Sequence, residues 1–231
     1  MPGEELKRWS VEVGAESTTA VFEPAEGPEG SVLVLAHGAG GHMEHRTMVA
    51  LAAELRGRGL HTVRFNFLYA EKKSGPPDRM PRLTECFAAV VERVRRELHP
   101  KRLLLGGHSM GGRTASMLAA EGFPCDGLLL LGYPLHPAGK PEKLRDAHLP
   151  QIGVPVLCLN GTRDDLCLRE LMEPVVAPLA PRWTMHWLEA ADHGFHVLKR
   201  SGRTDVDILR EIGEAARRWV DLLPSPPPAT R

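Results

Sequence analysis

Short runs of consecutive apolar residues alternate with stretches of helical apolar spacing along most of the chain, and this alternation restricts the fold more than any other feature. "SVLVLAHG" (31–38), "RLLLGG" (102–107), "DGLLLLGY" (126–133) and "VPVLCLNG" (154–161) lack the period of a half-exposed strand and read as strands covered on both faces. "HTVRFNF" and "TMHWLEA" read as two more strands. Met48, Leu51, Ala52 and Leu55 fall at helical spacing before Gly57 and Gly59. Leu83, Phe87, Val90, Val91, Val94 and Leu98 mark a second amphipathic helix, closed by Pro100. Further helices are expected from Ser109, around Leu166 to Val176, and from about Asp205 to Leu223. Only "RWSVEV" and "TTAVFEP" alternate with period two, and they predict an opening antiparallel hairpin. The series predicts an α/β fold with a mostly parallel central sheet, helices on both faces, and sites in the loops at the carboxyl ends of the strands.

The 231 residues fit one domain over 1–223, followed by a tail, "PSPPPATR" (224–231), whose composition predicts disorder. The segment from Tyr133 to Gly153 is a candidate for a small lid, and no insertion is long enough for a large cap domain. Twenty-nine basic residues balance 29 acidic ones, so charge gives no reason to expect nucleic acid or an anionic membrane as a partner. No window approaches the roughly 18 to 20 apolar residues of a membrane span. The polar opening "MPGEELKRWS" has no signal-length apolar stretch behind it, and the expectation is a cytoplasmic protein. Cys86, Cys125, Cys158 and Cys167 lack CxxC spacing and are expected to be free thiols. Neither a metal motif nor a dinucleotide fingerprint occurs, so no cofactor is expected.

Gly107-His108-Ser109-Met110-Gly111 is a G-x-S-x-G match lying between a predicted strand and a predicted helix. A turn that tight holds the serine in strained dihedrals, and glycine two residues to either side relieves the collision that a side chain would cause. The helix that follows aims its amino-terminal dipole at negative charge formed beside the hydroxyl. A glycine-rich phosphate loop would instead show GxGxxG or GxxxxGK[ST] spacing, which is absent here.

A serine hydroxyl needs a base to take its proton and a carboxylate to orient that base. "NGTRDDLC" offers Asp164 just beyond a strand, with Asp165 as the neighbour that can substitute for it. "ADHGFHVL" offers His193 in the loop where the base must stand, with His196 as the alternative. Donors for an oxyanion are expected from the backbone N–H of Met110 and from "HGAGGHMEH", at Ala39 or alternatively Gly40. His37 is expected to bond within that loop. Gly40, His108, Tyr133 and His136 are the candidate substrate-side residues. Tyr133, Leu135 and His136 have a second reading as a turn anchored by Pro134 and Pro137. Arg113, about one turn into the helix, is expected to tie it to a neighbouring loop, with a substrate anion as the other possibility.

In this order, "HGAGG", "GHSMGG", "GTRDD" and "ADHGFH" resemble the α/β-hydrolase superfamily over nearly the whole chain. "YPLHPAGKPEKLRDAHL" and "HVLKRSGRT" are similar to the branch that holds testis-expressed protein thirty, the hydrolase-like domain of the third NSL-complex subunit and bacterial dienelactone-hydrolase-like proteins. The resemblance implies a cofactor-free hydrolase. True dienelactone hydrolases carry a cysteine at the position of Ser109 and haloalkane dehalogenases an aspartate, which points away from both chemistries. The expected activity is cleavage of a small carboxylic ester through an acyl-enzyme on Ser109. Thioesters and amides, including peptides, fit the same machinery, and a scaffold that keeps the fold without turnover is the competing class.

Overall fold

The computed structural model describes residues 5–25, 30–72 and 75–224. The expected tail therefore lies outside the described residues from 225 onward. Among the described residues there are eight strands: β1 (Lys7–Val13), β2 (Glu16–Glu23), β3 (Ser31–Ala36), β4 (His61–Phe65), β5 (Arg102–His108), β6 (Gly127–Leu131), β7 (Val156–Gly161) and β8 (Trp183–Leu188). The helices are α1 (Arg46–Arg56), the short α2 (Leu68–Glu71), α3 (Met80–Leu98), α4 (Met110–Ala120), α5 (Arg169–Val176) and α6 (Asp205–Leu222).

The strands form one sheet in the order β1-β2-β4-β3-β5-β6-β7-β8. The expected hairpin is there, with Trp9 opposite Ala20. β2 also runs antiparallel to β4, whereas β3 to β8 are mutually parallel. The continuous apolar runs follow from two covered faces. On β3, Val32, Val34 and Ala36 enter the core shared with α3 and α4, while Leu33 and Leu35 enter the core shared with α1 and α6. Each fully buried side chain of this kind contributes about 1.5–3 kcal/mol. No large cap is inserted into this frame. Among the described residues, no helix is long and apolar enough to cross a membrane.

Strand β3 pairs with β4 on one side and β5 on the other, so the chain leaves it in opposite directions. The loops after β3 and β5 diverge at this switch point and leave a crevice between them. The segment expected as a small lid is largely irregular. Tyr133, Leu135, Leu149 and Ile152 are buried and pin it, and its crest, 138–144, is continuously exposed. Several boundaries differ from the sequence reading, two of them with a clear cause. β6 ends at Leu131 because Gly132 turns the chain at φ +59°, and α5 starts at Arg169 because the preceding residues close a turn on Asp164. α2 was not anticipated from the sequence. All four cysteines are free, three of them buried.

Candidate active site

Ser109 sits between the end of β5 and the first turn of α4 at φ 53°, ψ −118°, a conformation that costs on the order of 1–3 kcal/mol. The flanking glycines make the turn possible. A Cβ on Gly107 would lie 2.6 Å from the Ala36 carbonyl oxygen, and one on Gly111 would lie 2.3 Å from the same atom. Backbone atoms cannot yield to such contacts. The turn is fixed by Ser109 N–H donating to Leu131 O at 2.8 Å and by Arg113 N–H donating to Ser109 O at 3.0 Å. Met110 opens the helix, so its N–H has no intrahelical acceptor.

His193 stands in the loop after β8, with Nε2 2.8 Å from Ser109 Oγ. Its Nδ1 is 2.9 Å from both carboxylate oxygens of Asp164, which lies past the end of β7 and is buried. Oδ1 of Asp164 also accepts from Leu166 N–H at 2.8 Å, and Oδ2 accepts from Asn160 Nδ2 at 3.0 Å. The two loops meet closely: a Cβ on Gly161 would lie 2.1 Å from Ala191 O, so only glycine lets the histidine loop descend onto the acid.

The loop after β3 is held from beneath. His37 Nδ1 bonds Gly38 O at 2.8 Å, and Phe67 N–H donates to His37 Nε2 at 3.1 Å. The second bond makes Nε2 an acceptor, which requires a neutral ring protonated on Nδ1. Burial lowers the pKa of His37 to about 4 and keeps it neutral. Tyr69 Oη donates to the same Gly38 carbonyl at 3.3 Å. Met43 N–H donates to Asn66 Oδ1 at 2.8 Å and secures the far end of the loop. Ala39 is left exposed at the rim of a cleft of about 410 Å³ whose wall also includes Ser109, Met110 and Leu166.

The structure thus brings together Ser109, Asp164, His193, Ala39 and Met110. Asp165 is exposed beside the buried Asp164, and His196 pairs on the surface with Asp205 at 2.7 Å, so neither alternative reaches Ser109. The expected substrate-side residues stand elsewhere. His108 lies behind His193, with Nε2 2.8 Å from the His193 carbonyl oxygen. Burial lowers its pKa to about 4. Gly40 is exposed at φ +71° and outside the cleft wall. Tyr133 is fully buried, its hydroxyl donating to Arg145 O at 2.6 Å. His136 is buried too, accepting from Leu168 N–H at 3.4 Å and staying within its own turn through Pro137 O at 3.1 Å. The turn reading therefore holds for this segment, and Pro134, Pro137 and Ala138 face the cleft instead.

Two residues of the site were missed. Asn160 is wholly buried, bonds both backbone groups of Tyr133 and holds Asp164. An asparagine inside the apolar run "VLCLN" was the available signal. Arg145 lines the cleft from a segment without periodicity, and nothing in the sequence marked it.

A family model described as an alpha/beta hydrolase domain matches residues 29–221. The chain belongs to the alpha/beta hydrolase family. Solved structures agree in architecture. An alpha-beta serine hydrolase homologue from Coxiella burnetii superposes with a TM-score of 0.75 at 22% identity, covering 93% of this chain and 97% of that one. A serine hydrolase without a lid from Xanthomonas campestris gives 0.72 at 22% identity over 96% and 97%. A dienelactone hydrolase from Anabaena variabilis gives 0.74 at 19% identity over 95% and 98%. At these identities the likeness is one of fold.

Proposed function

We propose that this family member is a serine hydrolase that cleaves small carboxylic esters through an acyl-enzyme on Ser109. The observation that carries the reading is the unbroken hydrogen-bond chain from Ser109 Oγ through both ring nitrogens of His193 to the buried Asp164. Ser109 Oγ attacks the ester carbonyl and passes its proton to His193 Nε2. Asp164 holds the ring with Nδ1–H toward itself and stabilises the imidazolium that forms. The tetrahedral oxyanion takes hydrogen bonds from the N–H groups of Ala39 and Met110, reinforced by the amino-terminal dipole of α4. His193 returns the proton to the leaving alkoxide, and a water activated by the same ring cleaves the acyl-enzyme. Thioesters suit the same steps. The segments "YPLHPAGKPEKLRDAHL" and "HVLKRSGRT" support a place in the branch of testis-expressed protein thirty.

Hydrolysis of 4-nitrophenyl acetate, butyrate and octanoate by wild type, S109A and H193A tests this reading. Turnover in wild type that drops by about 10³-fold or more in both variants is expected. Equal rates in wild type and S109A would overturn it.

A further inference from the structure

The cleft beside Ser109 is lined by two arginines that form no ion pair among the described residues. Arg113 projects from α4 one turn, about 6 Å along the axis, beyond the serine. Its Nε is buried without a hydrogen-bond partner. Arg145 comes from the segment after β6 and lines the same cleft, and the acceptor its side chain reaches among the described residues is Pro134 O, at 3.4 Å. Among the described residues neither arginine forms an ion pair. Asp78, a carboxylate in the same wall, is engaged by Tyr69 N–H at 3.1 Å.

Two neighbours of Arg113, Tyr133 and His148, supply no negative charge. Tyr133 keeps its phenol protonated, burial pushing its pKa well up. His148 bonds Ser116 Oγ, and burial, followed by the nearby Arg113 charge, lowers its pKa to about 4. Burial and then Arg113 also press the Arg145 pKa below its ordinary value, as expected of two like charges facing one space. The position of Arg145 is nonetheless rigid: its N–H donates to Leu135 O at 2.7 Å and its carbonyl accepts from Tyr133 Oη at 2.6 Å. A fold that anchors an unpaired cation through both backbone groups of its residue, in the same cleft as a second one, is arranged to receive an anion. The forked donors of arginine match carboxylate and phosphate oxygens.

Resting on the hydrolase reading above, we propose that Arg113 and Arg145 form an anion subsite and that the substrate is an ester carrying a carboxylate or phosphate group a few bonds from the scissile carbonyl. The primary test uses wild type alone. Mono-4-nitrophenyl glutarate is compared with 4-nitrophenyl valerate, which places the charge on the acyl side, and 4-carboxyphenyl butyrate with 4-carbamoylphenyl butyrate, which places it on the alcohol side. A kcat/KM preference of about tenfold or more for the anionic member of at least one pair is expected. That preference should fall about tenfold in Arg113→Met and in Arg145→Met. Competitive inhibition of valerate hydrolysis by glutarate or by inorganic phosphate, whichever is stronger, assigns the anion. Equal, lower or undetectable turnover of both anionic esters by a wild type that reacts with a fluorophosphonate overturns the anion subsite and leaves the hydrolase standing. Folded wild type that fails to react with the fluorophosphonate overturns both.

Discussion

His108, the residue immediately before Ser109, places its Nε2 2.8 Å from the backbone carbonyl of His193. The loop that carries His193 is therefore tied to the turn that carries Ser109 by a bond separate from the Ser109–His193 contact. Phe195 closes the same arrangement, its ring edge-on to His108 with centroids 5.4 Å apart.

His108→Ala removes this tie and leaves the His193 carbonyl without its donor. The expected loss is about 1–3 kcal/mol of stability and about 10- to 100-fold in kcat, with KM nearly unchanged. Urea unfolding and esterase kinetics measured on one preparation check both. A change in KM alone would place His108 on the substrate side after all.

The two adjacent aspartates separate cleanly. Asp164→Asn keeps the shape but removes the charge that fixes the His193 tautomer, and kcat is expected to fall on the order of 10³–10⁴-fold. Asp165→Asn alters an exposed side chain and is expected to change kcat less than about twofold. Comparable losses in the two variants would contradict the assignment.

Stability should fall on acidification before the carboxylates matter. His37 and His108 titrate near 4 in the folded chain, below the ordinary histidine value of 6.5. Between those pH values the unfolded chain binds more protons, so stability rises with pH across that window. Each ring contributes a slope of at most about 1.4 kcal/mol per pH unit. Urea midpoints at pH 7, 6, 5 and 4 should decline steadily, and His37→Gln should reduce the slope.

Arg64 supports the loop after β3 from a buried position. It bonds Glu23 at 2.9 Å, Glu44 at 3.2 Å and the carbonyl of Met43. Glu23 keeps Arg56 as a partner at 2.8 Å when Arg64 is removed. Arg64→Ala therefore sits at the low end of the usual cost of breaking a buried pair, about 3 kcal/mol, read as a shift of the urea midpoint.

The parts of the site legible in the sequence are those where backbone geometry dictates residue type. Gly107 and Gly111 face the Ala36 carbonyl at distances that admit no Cβ, and Ser109 and Asp164 follow strands whose apolar runs announce them, while His193 follows the more mixed β8. The mostly parallel sheet with helices on both faces was legible for the same reason, since continuous apolar strands require cover on both sides, whereas the strand order was not. Side-chain direction in the loop after β6 was not legible. The positive φ of Gly132 turns Tyr133 and His136 inward, and Arg145, distant in sequence and without periodicity, takes the place facing the cleft. Asn160 was legible only as an oddity, because its partners Tyr133 and Asp164 come from two different loops.

The most direct measurement is intact-mass and peptide-level mass spectrometry after incubation with a fluorophosphonate. A serine activated by His193 and Asp164 predicts a single adduct on the peptide containing Ser109, absent from S109A and strongly slowed in H193A. Folded wild type that gains no adduct, or gains it on another residue, would contradict the account.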